Sequence, residues 1–155
     1  MGRDIHVNIL IKTKNEGWKD VVLYKPNKKG SFIPIDIYPY RNYELFDILN
    51  RTTDVFFPAT SGKRDELPQQ LKTQLEKEQV DYDFYGFFEA NLADIKLYYI
   101  NNPIVKDYDN KNDGFVKDHP IKDFIDTIFN YVNIWADGFM DFFYSDIKII
   151  YRFDC

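Results

Sequence analysis

Asp4-Ile5-His6-Val7-Asn8-Ile9-Leu10-Ile11-Lys12-Thr13 is the stretch that decides the fold. Ile5, Val7, Ile9 and Ile11 occupy every second position, with Asp4, His6, Asn8 and Lys12 between or beside them. Successive side chains of a strand point to opposite faces, so this period of two predicts a strand with one buried and one polar face. Lys14-Asn15-Glu16-Gly17 follows with turn chemistry, and Trp18 to Tyr24 is rich in β-forming residues, which predicts an N-terminal hairpin. The same period returns at the other end of the chain. Within Tyr144 to Phe153, Ile147, Ile149, Tyr151 and Phe153 alternate with Asp146, Lys148, Ile150 and Arg152, so a terminal strand is expected there.

Between these ends the periodicity changes. Lys25 to Ser31 reads as a loop, and Phe32 to Ile37 is apolar but contains Pro34, which lacks a ladder donor and restricts the segment to a sheet edge. Asn42 can cap a short helix whose Leu45, Phe46, Ile48 and Leu49 share a face and which ends near Asn50. The segment 51–66 reads as a long loop. Pro68 opens a polar helix to about Gln79, as proline is tolerated in a first turn. An aromatic strand over Asp81–Glu89, a helix over Leu92–Ile100 and a polar loop over Asn101–Gly114 are expected next. From Pro120, Ile121, Phe124, Ile125, Ile128, Val132 and Trp135 recur at three- and four-residue steps, the mark of the main core helix. Strands, then helices, then a strand describe an α+β fold: a small, mostly antiparallel sheet with helices packed on one face. Neither repeats nor a linker divide the chain, so residues 1–155 are expected to form a single domain.

Composition narrows the function classes. Hydrophobic residues make up 45% of the 155 and aromatics 18%, well above what a disordered chain carries, so a packed core is expected. The formal net charge is −5 and the basic residues are scattered, which argues against a nucleic-acid partner. No apolar run approaches a membrane span, and the opening residues lack the basic-then-apolar order of a secretory signal, so a cytoplasmic protein without a membrane partner is expected. The sole cysteine, Cys155, permits no internal disulfide and no cysteine metal cluster. With only His6 and His119, and without a phosphate loop or dinucleotide fingerprint, neither a cofactor nor a metal is expected.

Chemistry must then come from residues brought together by the fold. The polar face of the first strand offers Asp4, His6 and Asn8, and that of the last offers Lys148, Arg152 and Asp154. If the two strands are neighbours, a carboxylate, an imidazole and a guanidinium converge, a set able to grip an anion or to move a proton. The alternative is a solvated sheet face, which needs the same alternation. A second set is Arg41-Asn42-Tyr43 at the start of the first helix, where a negative charge is favoured. A third is the aromatic run 81–88, which either stacks on a ligand or forms a buried strand. His119, beside Pro120, suits a helix cap.

Gly2-Arg3-Asp4-Ile5-His6, Arg41-Asn42-Tyr43-Glu44-Leu45-Phe46 and Ile149-Ile150-Tyr151-Arg152-Phe153-Asp154, with Leu67-Pro68 between them, together resemble an uncharacterised family of phage and prophage proteins. Members of that family typically open with Met-Gly-Cys-Asp-Ile-His and carry Arg-Asn/Asp-Tyr-x-Leu-Phe before a helix. The chain departs from the pattern at Arg3, which replaces the cysteine, and in the middle, where a motif like Asp-x-His-Ser-x-Ser-Trp gives way to Asp83-Phe84-Tyr85-Gly86-Phe87-Phe88. The resemblance implies a phage-type accessory protein, placed in the host cytoplasm, that has kept a scaffold and lost two serines and a histidine. Three functions stay open. The first is a binding module for a small anionic or nucleotide-like ligand or a host protein, using Asp4, His6, Asn8, Arg41, Tyr43, Arg152 and Asp154. The second is a phosphodiester-type hydrolase using His6, Asp4 and Arg152. The third is a virion or interaction component with no small-molecule site.

Overall fold

In the computed structural model, which describes residues 4–39, 43–50, 60–61, 67–81, 85–106 and 116–153, the two alternating segments lie side by side. Strand β1 (Ile5–Thr13) pairs antiparallel with β2 (Gly17–Val21) on one edge and with the C-terminal strand β9 (Ile147–Phe153) on the other. Strands β3 (Tyr24–Pro26) and β4 (Phe32–Pro34) form a separate two-stranded arm, closed by a turn in which Asn27 Oδ1 accepts from the Lys29 and Ser31 amides. The expected strand Trp18–Tyr24 is therefore split in two, and Pro34 ends the short arm strand, the next bond across being donated by the Ile35 amide to the Leu23 carbonyl at 2.7 Å.

Helix α1 (Tyr43–Asn50) precedes β5 (Thr60–Ser61), which pairs with β6 (Tyr85–Asn91) within the segment read as an unbroken loop. Helix α2 (Gln69–Asp81) follows β5 in the chain, and α3 (Leu92–Asn101) follows β6. Inside the expected polar loop, β7 (Ile104–Lys106) pairs with β8 (Val116–Asp118) as a second small hairpin. Helix α4 (Ile121–Ala136) leads through one 3-10 turn at Tyr144–Asp146 into β9. The main sheet is antiparallel throughout, in the order β2-β1-β9-β6-β5, and the fold is α+β as expected. None of the helices among the described residues is long and apolar enough to cross a membrane.

One sheet face carries the main core. Ile5, Val7, Ile9 and Ile11 from β1 and Ile147, Ile149, Tyr151 and Phe153 from β9 pack with Leu45 and Phe46 of α1, Ile95 of α3 and Phe124, Ile125, Ile128 and Val132 of α4. Each of these side chains stabilises the fold by about 1.5–3 kcal/mol relative to exposure. Phe88, from the aromatic run, stacks on Tyr151 at 5.3 Å between ring centroids and so belongs to the strand reading rather than to a free ligand platform.

The helices do not all cover that face. Leu67, Leu71 and Leu75 of the α2 segment close over Leu10 and Ile150 on the opposite side, with Trp18 packed against them. The physical reason is that Leu10 and Ile150 interrupt the polar faces of β1 and β9; two buried aliphatic side chains in register need an apolar cover, and the leucines at 67, 71 and 75 supply one at helical spacing. A Lys148–Glu89 ion pair flanks this second core, with Lys148 Nζ 4.2 Å from the centroid of the Trp18 ring.

Two polar clamps hold the periphery. The Tyr131 hydroxyl of α4 accepts from the Leu23 amide at 2.7 Å and donates to the Ile35 carbonyl at 3.0 Å, which fixes both connections of the β3–β4 arm. His119 is 4% exposed and caps α4 as its place beside Pro120 predicts: Nδ1 accepts from the Ile121 amide at 3.1 Å. With Nδ1 an acceptor, the neutral ring carries its proton on Nε2, which lies 3.1 Å from the Tyr98 hydroxyl of α3.

Burial holds the His119 pKa below its ordinary value, with Glu44 pulling weakly the other way. The unfolded chain then binds a proton more readily than the fold, so this contribution is present above pH 6.5 and is lost as pH falls toward the depressed folded value. Denaturant titrations at pH 7 and pH 5 should show that loss in the natural chain and a smaller one in His119→Gln. A separate titration of Leu71→Ala should show a loss of about 2–4 kcal/mol together with a red-shifted Trp18 emission, as expected when the cover of the second core is cut back.

Candidate functional site

The register between β1 and β9 sets the site. His6 lies directly opposite Arg152, Asn8 opposite Ile150 and Leu10 opposite Lys148, so these side chains share the face covered by α2. From one end of that face to the other run the Lys148–Glu89 pair, the Leu10/Ile150 core, then Asn8 and Arg152, then His6. Past the edge of the second core the face opens into a cavity of about 360 Å³. Its floor is His6, Asn8 and Arg152. Gln70 and Gln74, one position before Leu71 and Leu75, form the wall from α2, while Tyr24, Pro34, Ile35 and Asp36 form the wall from the arm.

Arg152 is only 5% exposed, and its Nη1 donates to Asn8 Oδ1. A buried guanidinium is costly unless its donors are bonded, and the bond to Asn8 holds this one in place beside the cavity. Asp20 enters from β2, level with Leu10. Its Oδ1 is buried and finds no hydrogen-bond partner among the described residues. Burial raises the Asp20 pKa, and a backbone hydrogen bond from Val21 offsets part of that rise. An acceptor left dry and unpaired inside a protein destabilises the fold, and such groups concentrate where a ligand supplies the missing donor. The Tyr131 hydroxyl also borders the cavity, its pKa raised chiefly by burial.

Of the residues singled out from the sequence, His6, Asn8 and Arg152 come together. Asp4 immediately precedes β1 and does not line the cavity. Tyr43 begins α1, whose core residues Leu45, Phe46 and Leu49 belong to the main core, and its side chain lies outside the described residues. Arg41, Asn42 and Asp154 lie outside the described residues. The polar face is concave rather than flat, because α2 and the arm rise on either side of its floor. Asp20 and Tyr131 were missed. For Asp20 a signal existed: the turn at 14–16 sets Thr13 against Gly17, and counting outward brings Asp20 level with Leu10. For Tyr131 none did, since a tyrosine on a helix gives no hint of which backbone groups its hydroxyl will meet.

Asp20→Asn should stabilise the chain. The folded pKa is raised, so the fold holds this proton more tightly than the unfolded chain, and stability from this group falls as pH rises above 3.8 through the folded value. The cost of the charged, partly buried acceptor, about 1 kcal/mol, appears as the carboxyl ionises in the fold. Thermal unfolding should therefore show the variant's advantage growing from pH 4 to pH 7, and an advantage independent of pH would remove the carboxyl from this role.

Compared with protein-family models, with curated proteins and with solved structures, the chain matches none.

Proposed function

We propose that the chain is a binding protein for a small polar ligand bearing an anionic group, held in the cavity between β1, β9, α2 and the β3–β4 arm. The observation that carries this reading is the buried Arg152 at the floor of a cavity that Asp20 also lines. Two opposed polar groups at fixed positions in a mostly preformed concavity give orientation as well as affinity. A volume of about 360 Å³ falls within the range for small-molecule sites. An accessory protein of phage type, acting inside a host cell, is consistent with the acidic, basic-patch-free chain.

Binding is favoured over hydrolysis because His6 reaches the cavity without Asp4, the carboxylate a hydrolytic reading assigns to orient it. It is favoured over a docking surface for a host protein because the polar groups converge in a cavity rather than spreading over a flat face.

Isothermal titration with inorganic phosphate and a panel of nucleoside monophosphates measures the reading directly. Binding should weaken at least about tenfold in His6→Ala and in Arg152→Lys, the loss expected of a charge-assisted contact. Arg152→Lys keeps the buried charge, and thermal unfolding run in parallel separates lost contact from lost fold. Affinity unchanged in both folded variants would place the ligand elsewhere, and phosphate release dependent on His6 would replace binding with hydrolysis.

A further inference from the structure

We infer that the chain forms a two-fold dimer in which the basic β3–β4 arm of each copy lies against the acidic, aromatic turn that follows α4 in the other. This goes beyond the cavity and is independent of what the cavity binds. Two surfaces carry it. In the turn, Phe139 is 92% exposed and Phe143 is 73% exposed, with Ile134 at the end of α4 also exposed. Neither phenylalanine is loose on its backbone. Asp137 (φ 46°) and Gly138 (φ 77°) wind the helix end so that the Phe139 amide donates to the Ala136 carbonyl at 2.9 Å, and the Phe143 amide donates to Asp146 Oδ2 at 2.9 Å. Phe142 and Tyr144, interleaved with them in the chain, pack on the main core and against Phe129. Large aromatic side chains held in water by a fixed backbone have the character of interface anchors, because little freedom is lost when a partner covers them.

Charge identifies the occupant. From Asn133 to Ile147 the charged residues are Asp137, Asp141 and Asp146, with no lysine or arginine among them. The lysines that approach the segment, Lys19 and Lys96, lie over the rings of Trp135 and Tyr144 at 5.9 and 5.3 Å. The arm has the opposite sign. Lys25, Lys28 and Lys29 are exposed there, and Phe32, paired with Pro26, is 71% exposed. Neither these lysines nor Asp137 and Asp141 have an ion-pair partner among the described residues. Each surface presents an aromatic ring beside charges of one sign, and each complements the other, whereas arm on arm or turn on turn would oppose like charges. Helix α4 positions both. Its Tyr131 hydroxyl holds the arm at Leu23 and Ile35, and the helix ends at Ala136, about 7.5 Å further along its axis. With both surfaces anchored to the C-terminal end of one helix, a two-fold axis brings each arm to the partner's turn at once and closes the assembly at two copies.

Sedimentation velocity of the full chain over a concentration series, at low and at high salt, tests the assignment. The natural chain should form a species of twice its own mass that dissociates more readily at high salt, where exposed charges are screened. Phe139→Ala should weaken the dimer by about tenfold or more, the effect of losing an aromatic anchor. Charge reversal is the sharper test. Lys25→Glu with Lys28→Glu reverses the arm, and Asp141→Lys with Asp137→Asn reverses the turn, asparagine being suited to the left-handed backbone at 137. Each double variant should be monomeric alone. Mixed together they should form a heterodimer, because reversed arm then meets reversed turn on one side and natural arm meets natural turn on the other. Recovery on mixing also shows that both variants are folded. A natural chain that stays monomeric throughout the series would overturn the proposal. So would a dimer that both double variants leave intact, which would place the contact on another face, or two monomeric variants with natural circular dichroism that do not combine.

Discussion

The antiparallel pairing of β1 with β9 is the constraint on which everything else depends. It joins the two ends of the described chain along seven matched positions, from Ile5 against Phe153 to Ile11 against Ile147. Because the side-chain period of a strand is two, this one register fixes both faces together. On one side it lines up eight aliphatic and aromatic residues as the floor of the main core. On the other it sets His6 against Arg152 and brings Leu10 beside Ile150. A slip of one residue would put the apolar set in water and dismantle the polar set in the same stroke, so the fold and the site share a single energetic origin.

The second face shows how a site can be built next to a core. Leu10 and Ile150 draw α2 onto the sheet through Leu67, Leu71 and Leu75. The helix covers only part of the face, and the uncovered end, walled by Gln70, Gln74 and the β3–β4 arm, remains a cavity. The arm is held in turn by the Tyr131 hydroxyl, which reaches from α4 in the main core to backbone groups on both of the arm's connections. The cavity walls are thus anchored to the two cores from opposite directions, which is what holds polar groups at fixed separation. Asp20 is the cost of this arrangement: one oxygen of its carboxylate, Oδ1, is buried with no hydrogen-bond partner among the described residues.

His119 shows the opposite use of a buried titratable group. Both ring nitrogens are committed, Nδ1 to the Ile121 amide and Nε2 to the Tyr98 hydroxyl, and the ring is thereby fixed as a neutral cap between α3 and α4. The neighbouring Lys117–Glu44 ion pair ties the β7–β8 hairpin to α1 in the same region. Among the described residues that line the cavity, His6 is present and His119 is not.

By itself the sequence determined whatever depends on local periodicity. The alternation in 5–13 and 147–153 specified β1 and β9, and the three- and four-residue spacing after Pro120 specified α4, because these patterns expose a single face whatever the partner. The polar residues His6, Asn8 and Arg152 were legible as a set for the same reason. The tertiary structure alone decided which face each element met. Leu10 and Ile150 looked like exceptions on polar faces until α2 was seen to cover them, and residues 18–24 read as one strand until the arm claimed Tyr24 for a different partner. The burial of Asp20 and the reach of Tyr131 belong to that second class too. Both follow from contacts between segments far apart in the chain, and no pattern along a segment encodes which distant surface will exclude water from it.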